Sequence, residues 1–175
     1  DRIYCDDIDA PAQNFCDNFI YGKYDDKHKI QEFTKVVDII TYEFENIPYE
    51  TLNNINLAKP VLPKPSINKL IQHRISEKDF INKLNIRTTR YAAIESKSDI
   101  EPLGDFLPGI LKTTTLGYDG KGQYPIKKIG EIGSLNLDFS KGYILEKLVK
   151  LKKEISVIIT RFGNNSYEIY EPIEN

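Results

Sequence analysis

Residues 110–124 read Ile110-Leu-Lys-Thr-Thr-Thr-Leu-Gly-Tyr-Asp-Gly-Lys-Gly-Gln-Tyr124. A short apolar run ending in Lys112 reads as a strand that delivers one fixed cation. Gly117, Gly120 and Gly122 then let the backbone come close to a bound anion. The stretch is not a Walker A loop, which needs Gly-x-x-x-x-Gly-Lys-Ser/Thr between a strand and a helix: here the glycines follow the lysine and no helical pattern comes after them. On spacing alone the same residues also describe a plain hairpin turn, so the flanking sequence has to decide.

Working outward, residues 108–112 and 123–127 read as the two strands of a hairpin across the glycine loop. Residues 88–94 read as a further strand and 96–103 as a short helix, which makes a small α+β unit. Downstream, residues 142–149 and 154–161 are two strongly β-prone runs joined by Lys150-Leu-Lys-Lys153, and residues 166–170 begin a third.

Upstream the pattern is α/β. Residues 2–6 suggest a strand ending in acids, and residues 26–37 place Ile30, Phe33, Val36 and Val37 at helical spacing behind an acidic cap. Residues 38–44 form a β-branched and aromatic run suited to a buried strand. Helix followed by strand implies a parallel sheet. Asn46-Ile-Pro-Tyr-Glu50 is expected to cap the next helix, with Pro48 near its first turn. The prolines of residues 59–65 read as a connector. A helix is expected from Ser66 with Ile67, Leu70 and Ile71 on one face, and Ser76 with Asp79 resembles a capping box for another. Arg74 falls between these helices, as a surface charge or as a phosphate ligand. Glu43 and Glu45, two apart at the end of a strand, would share one side and suit a metal or a shared proton, although solvated strand-end acids are commoner. His28 and His73 are the only histidines, too few for a histidine metal cluster.

Composition narrows the function classes. With 24 Lys+Arg against 26 Asp+Glu there is no net basic field to attract nucleic acid or an anionic membrane surface. No apolar run approaches membrane-spanning length and no signal-peptide pattern is present. Cys5 and Cys16 lack Cys-x-x-Cys spacing, so reduced thiols in a cytoplasmic protein are expected. The 175 residues include no methionine, which suggests an interior piece of a longer protein.

Six stretches carry a resemblance in sequence order: Thr41-Tyr-Glu-Phe-Glu-Asn-Ile-Pro48, Gln72-His-Arg-Ile-Ser-Glu-Lys78, Leu111-Lys-Thr113, Gly117-Tyr-Asp-Gly-Lys-Gly-Gln123, Glu146-Lys-Leu-Val149 and Glu154-Ile-Ser-Val157. Together they resemble the 5-(carboxyamino)imidazole ribonucleotide synthase family, ATP-grasp enzymes of de novo purine biosynthesis in bacteria and fungi. The resemblance implies an ATP-grasp fold in three parts. Residues 1–87 would be a partial Rossmann-like pre-ATP-grasp domain without its first strand, 88–149 the small ATP-grasp lobe, and 150–175 the start of the large lobe.

The resemblance also implies roles. Lys112 and Arg74 would be catalytic cations on the ATP phosphates. Tyr118, Asp119, Gly120, Lys121, Gly122, Gln123 and Tyr124 would close over them. Glu146, Lys147, Leu148 and Val149 would form the adenine-reading hinge, and Glu154 would accept the ribose hydroxyls. ATP, Mg²⁺, bicarbonate and 5-aminoimidazole ribonucleotide are the implied ligands, with the metal ligands expected downstream of this chain, and a homodimer is the implied assembly. The chain departs from the family in carrying Lys121 where arginine is often found. It also lacks the family's first strand and its downstream metal and substrate residues, so these 175 residues alone are expected to be inactive. A formate-dependent purine transformylase or a biotin carboxylase would share Lys112 and Glu146, and a nucleotide-binding module that kept the adenine hinge but lost catalysis is the reading from a different class. The runs 42–46 and 118–123 favour the first family.

Overall fold

A computed structural model describes residues 1–116, 122–163 and 166–175 of the chain. The N-terminal part contains two parallel strand pairs. Strand β1 (Arg2–Cys5) lies beside β2 (Asn18–Tyr21), and β3 (Ile40–Thr41) beside β4 (Val61–Leu62). Helix α1 (Lys27–Lys35) starts where the sequence places it, because the Asp26 carboxylate accepts from the N–H groups of His28 and Lys29 at 3.1 Å each. Phe33, Ile40, Ile47, Leu52, Ile55 and Val61 form the core here, with Tyr4, Ile20, Ile30, Val37 and Tyr42 packed against them.

Several local expectations are corrected. The strand expected over 38–44 pairs only at Ile40–Thr41. Its partner β4 lies inside the proline-rich stretch that reads as a mere connector, and Pro63, next in register, has no N–H to extend the ladder. Glu43 and Glu45 therefore lie beyond the strand. Helix α2 (Tyr49–Asn56) starts within the expected 46–50 run, with Pro48 at the N-cap position and no side-chain cap hydrogen bond. Helix α3 (Pro65–Ile71) opens on Pro65 and buries Asn68, while Ile67 is exposed. Helix α4 (Arg74–Lys83) is capped by the His73 ring, which takes the cap position that the Ser76–Asp79 pattern suggests for Ser76.

The second core belongs to a four-stranded antiparallel sheet. Its strands, in spatial order, are β5 (Tyr91–Ile94), β8 (Tyr143–Lys147), β6 (Gly109–Thr113) and β7 (Gln123–Ile126). Side chains alternate across it. One face presents Ile94, Leu111, Ile126, Tyr143 and Leu145, which cluster with Ile100 and Ile132 from the connecting 3-10 turns. The helix expected over 96–103 is a pair of such turns, Lys97–Asp99 and Glu101–Phe106. Ile94, Leu111 and Leu145 are fully buried, each burial contributing about 1.5–3 kcal/mol.

The β-prone run at 154–161 divides in two. Strand β9 (Ile155–Ser156) pairs with β12 (Ile173–Glu174), and β10 (Ile159–Arg161) with β11 (Tyr167–Ile169), both antiparallel. Large apolar side chains here, Ile155, Ile159, Tyr167 and Ile173 among them, are exposed. Among the described residues no helix is long and apolar enough to cross a membrane.

Candidate nucleotide site

The face of the four-stranded sheet opposite its core carries the chemistry. Ile110 is in register with Glu146, and Lys112 with Ile144, so alternation puts Lys112 and Glu146 on one side as diagonal neighbours. Lys112 Nζ donates to Glu146 Oε2 at 2.8 Å. The second carboxylate oxygen, Oε1, lies 3.3 Å from Lys78 Nζ on α4. Glu146 is only 8% exposed, so two ammonium groups hold one buried carboxylate. Burial alone would push its pKa up, but the hydrogen bonds and charges of Lys112 and Lys78 outweigh that and hold it below the ordinary glutamate value. A carboxylate shared by two lysines leaves one excess positive charge on this face.

Helix α4 is anchored so that Lys78 reaches this point. The Arg74 N–H donates to Thr114 O at 2.9 Å, and its guanidinium donates to Thr113 O at 2.7 Å. These bonds tie the first helical residue to the end of β6. Lys78 follows at i+4 on the same side of the helix. Arg74 and Lys112, expected to act together, are thus brought to the same end of β6. Glu77 is also drawn in. Burial is the main reason its pKa is raised; the Glu45 and Glu146 carboxylates add to that, against Lys78 and Arg74.

Of the hinge residues, Glu146 and Lys147 end β8, and Leu148 and Val149 follow it. The Lys147 N–H donates to Arg90 O at 2.9 Å, and its carbonyl accepts from Thr89 Oγ1 at 2.7 Å. Its ammonium donates to Asp105 O at 2.8 Å, and the Leu148 N–H donates to Pro108 O at 2.9 Å. Leu148 and Val149 have exposed side chains. Glu154 is exposed just before β9, and its carbonyl accepts from the Asn175 N–H at 3.0 Å. No described contact joins Glu154 to the lysine–glutamate cluster.

Of the glycine loop, Tyr118, Asp119, Gly120 and Lys121 lie outside the described residues. Gly122 has φ +69 and its carbonyl accepts from the Thr113 N–H at 3.0 Å, which closes the hairpin. Gln123 is in register with Lys112 and so shares its face. Tyr124 is in register with Leu111, and its ring packs on the core, away from Lys112. Packing therefore accounts for the Tyr124 ring that the sequence reading assigns to the nucleotide loop.

Lys78 and Glu77 are the members of the cluster to which sequence reasoning gives no role. The i+4 spacing of Lys78 from Arg74 is the signal that marks it. Among the described residues, no group of three or more His, Cys, Asp or Glu side chains is placed to hold a metal. Glu146 is committed to two ammonium groups, so these residues do not fit a Mg²⁺ site.

Residues 79–175 match the family model for the ATP-grasp domain, and residues 2–72 match the ribonucleotide synthetase preATP-grasp domain. The N5-carboxyaminoimidazole ribonucleotide synthase of Brucella melitensis is 34% identical over 171 residues, covering 95% of this chain and 47% of that protein. The enzyme of that name from Bacillus subtilis is also 34% identical, covering 95% of this chain and 45% of its own length. A crystal structure of the Staphylococcus aureus N5-carboxyaminoimidazole synthetase complexed with ADP superposes with a TM-score of 0.90 at 28% identity, covering 99% of this chain and 48% of that one. The chain thus spans about half the length of these relatives.

Proposed function

The chain belongs to the ATP-grasp family, and from that premise we propose that the protein carboxylates 5-aminoimidazole ribonucleotide with bicarbonate at the expense of ATP. The observation that carries the reading is the Lys112–Glu146 pair on a sheet face beside Arg74, where one excess cation is held at low solvent exposure. The relatives named above support the choice of substrate.

In this reading the phosphates of ATP approach the edge of the β6 and β8 face that carries Lys112 and Glu146. Lys112 and Arg74 neutralise charge on its phosphates as the γ-phosphoryl group passes to a bicarbonate oxygen. The products of that step are ADP and carboxyphosphate. The exocyclic amine of the ribonucleotide then takes the carboxyl carbon, phosphate leaves, and the amine loses a proton. Lys147, Leu148 and Val149 would present the edge that reads adenine, Gln123 would flank the phosphates, and Glu154 would accept the ribose hydroxyls when its segment is brought over the site. Mg²⁺ on ligands outside these residues, a homodimeric assembly and a cytoplasmic location go with the same reading. The domain division at 87 and 149 does too, supported by the separate cores on either side of residue 87.

The test is ADP release by the full-length protein carrying this sequence. Release that requires both bicarbonate and 5-aminoimidazole ribonucleotide is expected. Release stimulated instead by formate with a different ribonucleotide, or indifferent to both substrates, would reject the assignment.

A further inference from the structure

We propose that Lys78 is a positioning residue that keeps Glu146 ionised when Lys112 turns away from it to meet a nucleotide phosphate. The inference rests on the nucleotide-site reading above and adds a residue to which that reading gives no part.

Lys112 has one ammonium group and two claims on it. It sits 2.8 Å from Glu146 Oε2. Full transfer to a phosphate would take it off a carboxylate that is only 8% exposed, and an uncompensated buried carboxylate is costly. Lys78 removes that cost, because it holds the other oxygen, Oε1, at 3.3 Å from a separate element. Its ammonium is positioned independently of Lys112: α4 is tied to Thr113 and Thr114 through Arg74, and Lys78 also lies over the Tyr91 ring at 5.8 Å. Tyr91 is the register partner of Glu146 on β5, and its hydroxyl donates to Asp79 on α4. Glu77 of α4 also faces Glu146, and Glu77 in turn feels Lys78, Glu45 and Arg74. The Glu77 carboxyl makes a lone Glu146 less tolerable still. Exchange of Lys112 between carboxylate and phosphate then needs no proton, provided Lys78 stays.

Without Lys78, departure of Lys112 would strand Glu146, which would take up a proton. A buried glutamate can titrate as high as about pH 8–9, so nucleotide binding by a Lys78→Met variant should draw in a proton near neutral pH. The experiment is calorimetric titration of ADP into the full-length protein, in buffers of differing ionisation enthalpy, for wild type, Lys78→Met and Lys78→Arg. Lys78→Met should bind ADP about tenfold more weakly and take up close to one proton more than wild type, with both effects reversed in Lys78→Arg. In a Glu146→Gln background, Lys78→Met should cost nothing further and the extra proton should vanish.

Unchanged affinity and proton uptake in Lys78→Met would overturn the inference while leaving the nucleotide site intact. So would a loss that persists in the Glu146→Gln background, because Lys78 would then act on the nucleotide itself. Wild-type protein that fails to bind ADP would overturn both the inference and the reading beneath it.

Discussion

Lys112 and Glu146 meet at 2.8 Å across the two central strands of the four-stranded sheet, on the face opposite its core. The pair is a charged contact built on an apolar support, since Leu111 and Leu145, the neighbours of each in sequence, point the other way and are fully buried. The same β-strand alternation therefore fixes the core and aims the charges.

The pH dependence of stability follows from the direction of the Glu146 shift. Although burial opposes it, Lys112 and Lys78 hold the pKa of Glu146 below its ordinary value. The stabilisation is then fully present above the unfolded value, about 4.3, and is lost as pH falls through the lower folded value. Urea unfolding at a series of pH values should show this loss in wild type and a flatter profile in Glu146→Gln. At neutral pH, Glu146→Gln should be less stable by about 1–3 kcal/mol.

Glu77 should behave in the opposite sense. Burial, then Glu45 and Glu146, raise its pKa, so the folded state keeps a proton longer and stability falls as pH rises from the unfolded value through the folded one. Glu77→Gln should therefore raise the melting temperature at neutral pH and leave it little changed in acid. Thermal melts at two pH values check this.

Lys112→Ala should separate chemistry from folding. Glu146 keeps Lys78, so the melting temperature should shift little, while ATP turnover should fall by about 10²–10³-fold through loss of charge stabilisation at the phosphates. Parallel melts and ADP-release assays would read both effects.

Gly142 makes a purely structural prediction about the turn that feeds β8. Its φ is +61, and a Cβ there would meet Thr114 Oγ1 at 3.1 Å, whereas a Cβ at Gly130 would meet nothing within 4 Å. The Gly142 carbonyl also accepts from the Thr114 N–H at 3.1 Å. Gly142→Ala should cost about 2 kcal/mol, and Gly130→Ala should be close to neutral by denaturant titration.

What the sequence makes legible follows from how local each signal is. Strands β6, β7 and β8 are readable because their β-prone runs pair as a hairpin and its neighbour, and the Asp26 cap is readable because its acceptor lies two and three residues from its donors. Strand β4 is hidden among prolines, although the preference of a residue before proline for extended backbone marks Leu62. The shortness of β3 is set by that partner and so is not visible in residues 38–44. At the site, Lys112, Arg74 and Glu146 can be named from motifs. Lys78 is legible only from its place one turn beyond Arg74, because its partner lies 68 residues away on another element.

The most direct measurement follows oxygen through the reaction, using ¹⁸O-labelled bicarbonate, ATP and 5-aminoimidazole ribonucleotide with the full-length protein. If bicarbonate is phosphorylated at the site built on Lys112 and Arg74, one of its oxygens leaves in the inorganic phosphate, and the label should appear there in step with ADP. ADP formed with unlabelled phosphate would mean that water, not bicarbonate, receives the phosphoryl group, and would contradict the proposed carboxylation.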